Sequence, residues 1–371
     1  MKKVIVSVIN DLVTDQRVDK VCNTLVRLGF EVLLIGRKKK DSPDLNERPY
    51  HMHRMGLIFS KGPIFYAEYN IRLFIYLFRH KSDLLVSNDL DTLLPNFLIH
   101  RFRKTPIVYD SHELFTETPE VIHRKFVKGV WEGIERRILP KLEHVFTVSR
   151  SIADVFNEKY HIAAKVVRNV PPKRKFIKTK SRSDLNLPED RKILVLQGSG
   201  INIQRGAEEL IGAMKFLSGY LLLIIGGGDV ISELKIKVTT LNLEDKIRFI
   251  PKQSIEELYQ YTMNADLGLT LDKDTNLNYL YSLPNKLFDY IHAGIPVLAS
   301  RLVEVTKIVE NYQIGDTIES HDPNHIAAKI QEMMSDPRKI IEWRENCKFA
   351  SEQLCWENEE KIIQEVYQLY A

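Results

Sequence analysis

The residues best suited to chemistry in this sequence are a lysine and an aspartate on one predicted short helix. The stretch 281–300 reads YSLPNKLFDYIHAGIPVLAS, in which Pro284 suits a first helical turn and Gly294 a helix end. Lys286 and Asp289 then share one face of the helix. Amides at a helix N-terminus attract anions, so this face is suited to a phosphate and a sugar hydroxyl of one ligand. An amphipathic helix with Leu287, Tyr290 and Ile291 in the core and a solvated Lys–Asp pair outside explains the pattern equally well.

A second candidate phosphate site follows a predicted strand in the middle of the chain. The glycines of segment 197–206, QGSGINIQRG, let backbone amides approach a phosphate, and Arg205 adds a permanent positive charge. A tight loop explains these glycines equally well. The glycine run 226–228 lacks the further glycine of a dinucleotide fingerprint, because Ile231 stands there, and no Walker-type lysine follows. The sequence therefore disfavours a hydride-transfer enzyme and a Walker-type phosphate loop.

Acidic residues and a histidine follow two predicted strands in the first half of the chain. The segments 83–89, DLLVSND, and 106–110, PIVYD, have the short apolar pattern of buried strands. The carboxyl ends of parallel strands meet at one edge of a sheet, and functional groups gather there. We therefore expect the following residues at that edge: Asp89, Asp110, Ser111, His112 and Glu113.

Strands that alternate with helices must position these candidates. The strand 4–9, a helix after Gln16 and the strand 31–35 form a β-α-β unit, which implies a parallel sheet. A basic stretch with three prolines interrupts the alternation before the strand 192–198. We therefore predict the α/β class, with two Rossmann-like, doubly wound domains facing each other across a cleft. The predicted boundaries are 1–172 for the first domain, 173–190 for a linker, 191–352 for the second domain and 353–371 for a C-terminal helix at the domain junction.

The composition is that of a globular enzyme. A chain of 371 residues exceeds the usual size of a single core, and its 44% apolar and 27% charged residues argue against disorder. Cys22, Cys347 and Cys355 lack metal-type spacing, so we expect reduced thiols that pack in the core, in a cytosolic compartment. No signal-peptide pattern follows Met1, and no apolar run reaches transmembrane length.

Basic residues are unevenly distributed although the net charge is only +4. They cluster at 37–40, 101–104 and 173–182. Between the first two clusters lies segment 57–81, rich in aromatic residues and flanked by positive charge, as an interfacial helix would be. Peripheral contact with an anionic membrane is one prediction, and a buried helix with a basic end is the alternative. No recognisable nucleic-acid recognition motif accompanies these basic clusters, so nucleic acid is not an expected partner.

Taken together, the segments resemble a family, the retaining, nucleotide-sugar-dependent glycosyltransferases of the GT-B fold, group 1 type, which includes many bacterial polysaccharide and glycolipid enzymes. The most specific segment is SLPNKLFDYIHAGIPVLAS at 282–300. The resemblance covers nearly the whole chain through TDQRV at 14–18, YDSHELFTETPE at 109–120, TVSRSIADVF at 147–156, VVRNVP at 166–171 and IVENYQIG at 308–315.

The resemblance implies a donor-nucleotide site in the second domain and an acceptor side in the first. Arg205 stands where the family commonly has lysine and is implied as a diphosphate ligand, with Lys286 as a second cation. Asp289 stands where the family has a glutamate that holds the ribose hydroxyls, and the shorter aspartate implies a longer or water-mediated contact. The remaining implied donor contacts are Gly198, Ser199, Gly200, Gly227, Asn285 and Leu287.

The sequence departs from the family pattern at two positions. Tyr281 replaces a glutamate that contacts the donor sugar in the family, and Asn278 or Asp274 is a candidate replacement. Ser199 replaces an arginine that often follows the first glycine of the second half. The first change leaves the sugar identity open, and the second leaves more of the phosphate charge to the two remaining cations.

The resemblance also implies the catalytic groups. His112 is similar to the family's histidine near the donor sugar, and it joins Arg205 and Lys286 as catalytic candidates. A loop histidine bonded to the backbone is the alternative. The acceptor-side candidates are Asn10, Asp11, Arg17 and Glu113. The first three could equally belong to a polar loop beside a helix start, and Glu113 could instead orient its loop.

The implied reaction moves a sugar from a UDP- or GDP-linked donor to a hydroxyl of a saccharide or lipid-linked acceptor, with retention at the anomeric carbon. Cations and helix amides would stabilise the departing diphosphate, so no protein nucleophile and no cofactor are expected. Asp89 and Asp91 have the spacing of a metal motif but lie in the other half, so we predict metal independence. The expected setting is polysaccharide biosynthesis in the cytoplasm, with the inner face of the membrane as a candidate location.

Two alternatives stay open. One is a nucleotide-sugar epimerase of the same fold. The other is a degenerate homologue that binds nucleotide without turnover, which the residues Tyr281 and Ser199 motivate.

Overall fold

The structure is a computed structural model that describes residues 1–13, 15–40, 42–174 and 179–371. Thr14, which opens the TDQRV segment, and residues 175–178 of the predicted linker lie outside the described residues. The chain divides into two compact units: the first unit comprises 1–169, 276–278 and 358–371, and the second unit comprises 170–275 and 279–357. The predicted boundaries and the predicted cleft stay predictions.

The first unit contains a sheet of seven parallel strands. They are β1 (Lys3–Ser7), β2 (Glu31–Arg37), β3 (His51–Met55), β4 (Leu84–Asn88), β5 (Ile107–Ser111), β6 (His144–Thr147) and β7 (Lys165–Val166). Their order across the sheet is β3-β2-β1-β4-β5-β6-β7, and Val4 lies opposite both Val32 and Leu84. The central strands β1, β4 and β5 are buried almost throughout, which explains their nearly continuous apolar sequences.

Among the described residues before 161, six helices accompany this sheet. They are α1 (Gln16–Arg27), α2 (Gly62–Arg79), α3 (Leu90–Arg103), α4 (Pro119–Ile122), α5 (Lys125–Ile138) and α6 (Arg150–Tyr160). Asp15 and Ser149 cap α1 and α6, since their side chains accept the N–H groups of Val18 and Ile152. These caps fix where the two helices begin.

The second unit contains a sheet of six parallel strands. They are β8 (Lys192–Gly198), β9 (Tyr220–Gly226), β10 (Ile247–Ile250), β11 (Leu267–Thr270), β12 (Val297–Ser300) and β13 (Gly315–Ile318). Their order is β10-β9-β8-β11-β12-β13.

Nine helices follow in the described residues of the later part of the chain. They are α7 (Ala207–Ala213), α8 (Ile231–Thr240), α9 (Ile255–Met263), α10 (Leu277–Leu280), α11 (Asn285–Ala293), α12 (Val303–Tyr312), α13 (Pro323–Ser335), α14 (Pro337–Gln353) and α15 (Trp356–Tyr367). The helices α10 and α15 each supply residues to both units. In the described part of the chain, none of the helices combines the length and the apolar character that crossing a membrane requires.

Each sheet has one point where the winding of the chain reverses. In the first unit it lies between β1 and β4, and in the second between β8 and β11. At such a point the loops after the two strands diverge, which leaves a crevice at the carboxyl ends where ligands bind in this class of sheet. The residues that follow these four strands are therefore placed to form sites.

The predicted α/β class with two doubly wound sheets is confirmed, and the core positions Leu287, Tyr290 and Ile291 of α11 are buried as expected. Two details of the prediction were wrong. Pro284 precedes α11 instead of lying in its first turn. The segment 166–171, which we expected to be the last strand of the first half, forms a strand only at Lys165–Val166; beyond it the Val167 N–H donates to Thr147 and the Arg168 N–H to the Glu359 carboxylate.

The prediction missed several elements, among them β3, β13 and α14. The strands β3 and β13 lie at sheet edges, where only one neighbouring strand is paired and the sequences HMHRM and GDTI show no apolar run. The helix α14 buries little of its length, so its apolar residues lack a clear helical period.

Candidate functional site

The glycines after β8 and β9 allow two loops of the second unit to touch backbone to backbone. A Cβ on Gly226, whose φ is +129°, would lie 1.8 Å from the Gly198 carbonyl oxygen. A Cβ on Gly228 would lie 2.1 Å from the Ile201 oxygen. Gly227, in contrast, has no atom within 4 Å of its Cβ position. The loop pair therefore needs glycine at two positions, and Gly227 borders open space.

Two cations of the second unit meet at one buried carboxylate. Asp272 follows β11 and is fully buried. Its Oδ1 accepts a hydrogen bond from Lys286 Nζ at 3.2 Å, and its Oδ2 lies 3.4 Å from Arg205 Nη1. The Arg205 guanidinium also lies 4.3 Å above the centre of the Tyr279 ring. The structure thus brings together Arg205 and Lys286, 81 positions apart, as the prediction of one diphosphate site requires.

The electrostatics of this cation pair leave a positive surplus. Burial lowers the pKa of Lys286, Arg205 lowers it further, and Asp272 only partly opposes this. Burial by itself would lower the pKa of Arg205, but Asp272 holds this pKa above its ordinary value. One carboxylate faces two cations, so the cluster is suited to an incoming anion.

The helix α11 places Lys286 and Asp289 beside this cluster. Because Pro284 precedes the helix in an extended conformation, the first turn opens at Asn285 and contains Lys286 and Leu287. One turn further, Asp289 accepts a hydrogen bond from Gln197 Nε2 at 3.2 Å. Gln197 is itself held by Thr262, whose hydroxyl donates to its Oε1 at 2.7 Å. This chain of contacts fixes Asp289 relative to the end of β8.

Sequence reasoning missed Asp272 and Gln197 as members of this site. Each places a polar side chain directly after a buried apolar run, in KILVLQG at 192–198 or DLGLTLD at 266–272. That position at a carboxyl edge was the available signal. Of the candidate replacements for the missing carboxylate, Asp274 is exposed. The other, Asn278, has its amide bonded within the first unit, to Glu113 and to the Leu114 N–H.

A histidine of the first unit lies between two carboxylates. The backbone N–H of His112 donates to Asp89 Oδ1 at 2.8 Å, and the imidazole Nδ1 lies 3.3 Å from Asp89 Oδ2. Its Nε2 lies 3.5 Å from Asp110 Oδ2. Burial alone would lower the pKa of His112, but the two carboxylates raise it to about 9. His112 is therefore an imidazolium at neutral pH.

Asp110 is fixed in turn by a buried arginine. Arg17 donates from Nε to Asp110 Oδ2 at 3.0 Å and from Nη2 to Oδ1 at 2.7 Å, while its Nη1 donates to the Val167 carbonyl at 2.7 Å. Burial would raise the pKa of Asp110, but Arg17 and His112 hold it far below the ordinary value. The arginine and both carboxylates form one network around His112.

The backbone of Asp89 is strained where it holds the histidine. Its φ of +58° and ψ of 166° lie in a region that side-chain-bearing residues rarely adopt. Its N–H donates to the Asp110 carbonyl at 2.9 Å, and its carboxylate accepts the His112 N–H. The hydrogen bonds of its N–H group and of its carboxylate maintain this conformation.

The other acceptor-side candidates occupy different surroundings in the first unit. Asp11 is buried and accepts hydrogen bonds from Arg54 and the Val13 N–H, both at 3.0 Å, and from Ser42. Asn10 is exposed and donates to Asp15 at 3.3 Å. Arg17 is directed to Asp110 as described, so its guanidinium serves the histidine network.

Glu113 has a carboxyl group that changes charge near neutral pH. Burial raises the pKa of Glu113 to about 7, helped by the nearby charges of Asp89 and Glu120 and opposed by the hydrogen bond from Asn278. A carboxyl group with such a pKa can both accept and donate a proton at neutral pH.

Within the described residues, no group of three histidine, cysteine or acidic side chains is arranged to hold a metal ion.

Comparison with solved structures establishes the class of the fold. Sucrose-phosphate synthase from Thermosynechococcus elongatus superposes with a TM-score of 0.84 at 18% identity, over 100% of this chain and 99% of that chain. HepE from Anabaena in complex with UDP-glucose gives 0.80 at 16% identity, over 99% and 100%. A protein from Listeria monocytogenes described as a candidate UDP-N-acetylglucosamine 2-epimerase gives 0.64 at 12% identity, over 99% and 96%. The fold is the GT-B fold, with two Rossmann-like domains.

Family models give the narrower assignment. A model described as Glycosyltransferase Family 4 matches residues 15–172, and one described as Glycosyl transferases group 1 matches residues 177–353. A search of curated protein sequences found no match. The chain belongs to the group 1 glycosyltransferases of the GT-B fold, as its sequence segments predicted.

Proposed function

We propose that this glycosyltransferase moves a sugar from a nucleoside diphosphate sugar to a hydroxyl of a saccharide or lipid-linked acceptor, with retention at the anomeric carbon. The observation that carries the proposal is the meeting of Arg205 and Lys286 at buried Asp272, at the reversal point of the second sheet. Two cations beside one carboxylate, next to glycine loops and the start of α11, suit a diphosphate.

The cation pair acts on the leaving group. As the bond between the anomeric carbon and the diphosphate oxygen breaks, negative charge develops on the diphosphate, and Arg205, Lys286 and the first amides of α11 stabilise it. The acceptor oxygen bonds to the anomeric carbon on the same face, and its proton passes to the departing phosphate. Asp289, held by Gln197, binds the ribose hydroxyls. Gly198, Ser199, Gly200 and Gly227 line the phosphates with backbone.

His112 takes the role of a hydrogen-bond donor to the donor sugar. Because its pKa is about 9, it is charged at neutral pH and is a poor proton acceptor. Asp89 and Asp110 keep it in this state, and Glu113, Asn10 and Asp11 are the acceptor-side groups in this proposal.

The donor is UDP- or GDP-linked, and UDP-glucose is the first compound to test. The structure of HepE, which shares the fold, contains UDP-glucose. We further propose that transfer needs neither a metal ion nor a cofactor, so full activity in the presence of EDTA is the expected result.

Transfer assays over a panel of UDP- and GDP-sugars test the function. Arg205→Ala and Lys286→Ala should each lower kcat by about 10²–10³-fold, because each removes one charge from the leaving-group site. The exposed Arg301→Ala is the matched control and should retain activity. Unchanged transfer in the first two variants would overturn the phosphate-site assignment.

Epimerisation is the second candidate, because a protein described as a candidate UDP-N-acetylglucosamine 2-epimerase shares the fold. Incubation of each nucleotide sugar without acceptor separates the two reactions. An isomerised nucleotide sugar would favour epimerisation, whereas a product that requires an acceptor favours transfer. Nucleotide binding without either product would identify a degenerate homologue.

We place the enzyme in polysaccharide or glycolipid biosynthesis in the cytoplasm, in peripheral contact with the inner face of the membrane. Segment 57–81 and its basic flanks support this setting. Fractionation of cells that produce the full chain tests it, since a purely cytosolic enzyme would be absent from the membrane fraction.

A further inference from the structure

The helix α2 carries large apolar side chains on two opposite faces. Phe65, Tyr69, Leu73 and Leu77 are buried on one face. On the other, Ile64 and Ile71 are each 60% exposed, and Ile75 and Phe78 are also largely exposed. These four residues follow one another at helical spacings of seven, four and three, so they form one stripe. A surface helix normally has polar residues in that place.

The stripe continues onto α3. Phe78 and Phe102 meet edge to face with ring centres 6.0 Å apart. Phe102 is 78% exposed, and Leu98, one turn before it, is also exposed. Two adjacent helices therefore share one exposed apolar surface, larger than the single exposed residues that every protein has.

The loop before α2 adds two more apolar side chains at the other end of the stripe. The N–H groups of Ile58 and Phe59 each donate to the Glu68 carboxylate at 2.9 Å. Glu68 lies on α2 between Ile64 and Ile71 and also pairs with Arg72 at 2.8 Å. The loop is thus fastened to the helix while Ile58, 78% exposed, and Phe59 face solvent. We call the whole surface the α2–α3 apolar face: Ile58, Phe59, Ile64, Ile71, Ile75, Phe78, Leu98 and Phe102.

Positive charge borders this face and little negative charge is free on it. Arg79, Lys81, Arg101 and Lys104 are exposed at the ends of the two helices. The two helices contain only two acidic residues: Glu68, whose carboxylate is used by the loop, and Asp91, which is buried. The combination is apolar in the middle and cationic at the rim.

We propose that the α2–α3 apolar face docks on an anionic lipid bilayer. This deepens the proposed membrane contact and rests on it. The isoleucines and phenylalanines enter the boundary of headgroups and acyl chains, and the arginines and lysines bind the lipid phosphates. A second copy of the chain is a less suitable occupant, because a two-fold interface would bring these basic residues towards one another without acidic partners.

Vesicle co-sedimentation tests the proposal with the full chain and without donor or acceptor. The wild-type protein should bind vesicles of phosphatidylcholine with phosphatidylglycerol, bind those of phosphatidylcholine alone weakly, and lose binding as salt increases. Each of Arg79→Gln and Arg101→Gln should weaken binding about fivefold, because one charge near the lipid surface is removed. Ile71→Ser combined with Ile75→Ser should weaken it by at least about tenfold.

Ile236→Ser is the matched control, since Ile236 is 67% exposed on α8 of the second unit, and it should bind as the wild type does. No binding to anionic vesicles at low salt, or equal weakening by the control, would overturn the proposal. A stable dimer in light scattering that Phe102→Ser dissociates would also overturn it and identify a self-association surface. Glycosyl transfer is measured separately, with a water-soluble acceptor, so its absence cannot be confused with failure to bind vesicles.

Discussion

The two units carry different arrangements of charge at the carboxyl edges of their sheets. In the first unit, one cation, His112, lies between the carboxylates of Asp89 and Asp110. In the second, one carboxylate, Asp272, lies between two cations, Arg205 and Lys286. The first arrangement is balanced in charge, because Arg17 also pairs with Asp110, whereas the second has a surplus of positive charge and suits phosphates.

The two clusters also differ in how far they are closed to solvent. Arg17 and Asp110 are sealed, with 2% and 1% of their side chains exposed. Arg205 and Lys286 keep 26% and 12% exposed. The Arg17–Asp110 pair is therefore satisfied within the protein, whereas the two cations of the second cluster, like His112 at 16% exposure, are open to a ligand. The comparison predicts that mutations in the first cluster change stability most, and that those in the second respond to nucleotide.

The largest expected effect is the loss of Arg17. Arg17→Leu leaves the Asp110 carboxylate buried without its main partner, which should lower the free energy of unfolding by about 3–5 kcal/mol in urea titrations. Arg301→Leu, at the exposed pair with Glu319, is the control and should cost less than about 1 kcal/mol. Equal effects at the two sites would contradict the distinction between closed and open clusters.

The charge of His112 should make stability depend on pH. Its pKa is raised from 6.5 to about 9 in the folded protein, so its contribution is fully present below pH 6.5 and is lost as the pH rises towards 9. The loss is about 3 kcal/mol at most. Urea titrations between these pH values measure it, and His112→Gln should remove the part of the dependence that lies above the Glu113 pKa of about 7. An imidazole titration by NMR near pH 6.5 would show that the carboxylates do not control His112.

Asp272→Asn should have a smaller effect that a ligand reverses. The variant keeps the shape but loses the charge between two cations, so we expect a loss of about 2 kcal/mol and a further fall in the pKa of Lys286. UDP should restore stability to this variant in thermal unfolding, because the UDP phosphates supply the missing negative charge. UDP also stabilises Arg17→Leu, whose nucleotide site is unchanged, but the gain should be no larger than in the wild type. An equal gain in the two variants, or no gain in Asp272→Asn, would break the comparison.

The smallest expected effect concerns Glu113. Asn278→Ala removes a hydrogen bond that lowers the pKa of Glu113, so this pKa should rise above about 7. The expected cost in unfolding free energy is about 1 kcal/mol. NMR titration of carboxyl-labelled glutamate measures the shift, and an unchanged pKa would show that the Asn278 amide does not act on the carboxylate.

The sequence by itself determined the features that depend on neighbouring residues. Apolar runs between turn residues predicted the alternating strands and helices, and helical spacing predicted the buried positions Leu287, Tyr290 and Ile291 of α11. The helix stop at Gly294 was also readable, since Gly294 adopts φ of +69° at the end of α11. Edge strands such as β3 were missed because few of their side chains are buried, so their sequences show no apolar run.

Only the tertiary structure decided which charged side chains share a site. Arg17 and Asp110 are 93 positions apart, and Lys286 reaches Asp272 across a loop and a further helix. No local pattern records such pairings, because they depend on the order of strands in the sheet. The sequence placed polar residues at the carboxyl edges of both sheets. The winding of the chain then made one set a cation between carboxylates and the other a carboxylate between cations.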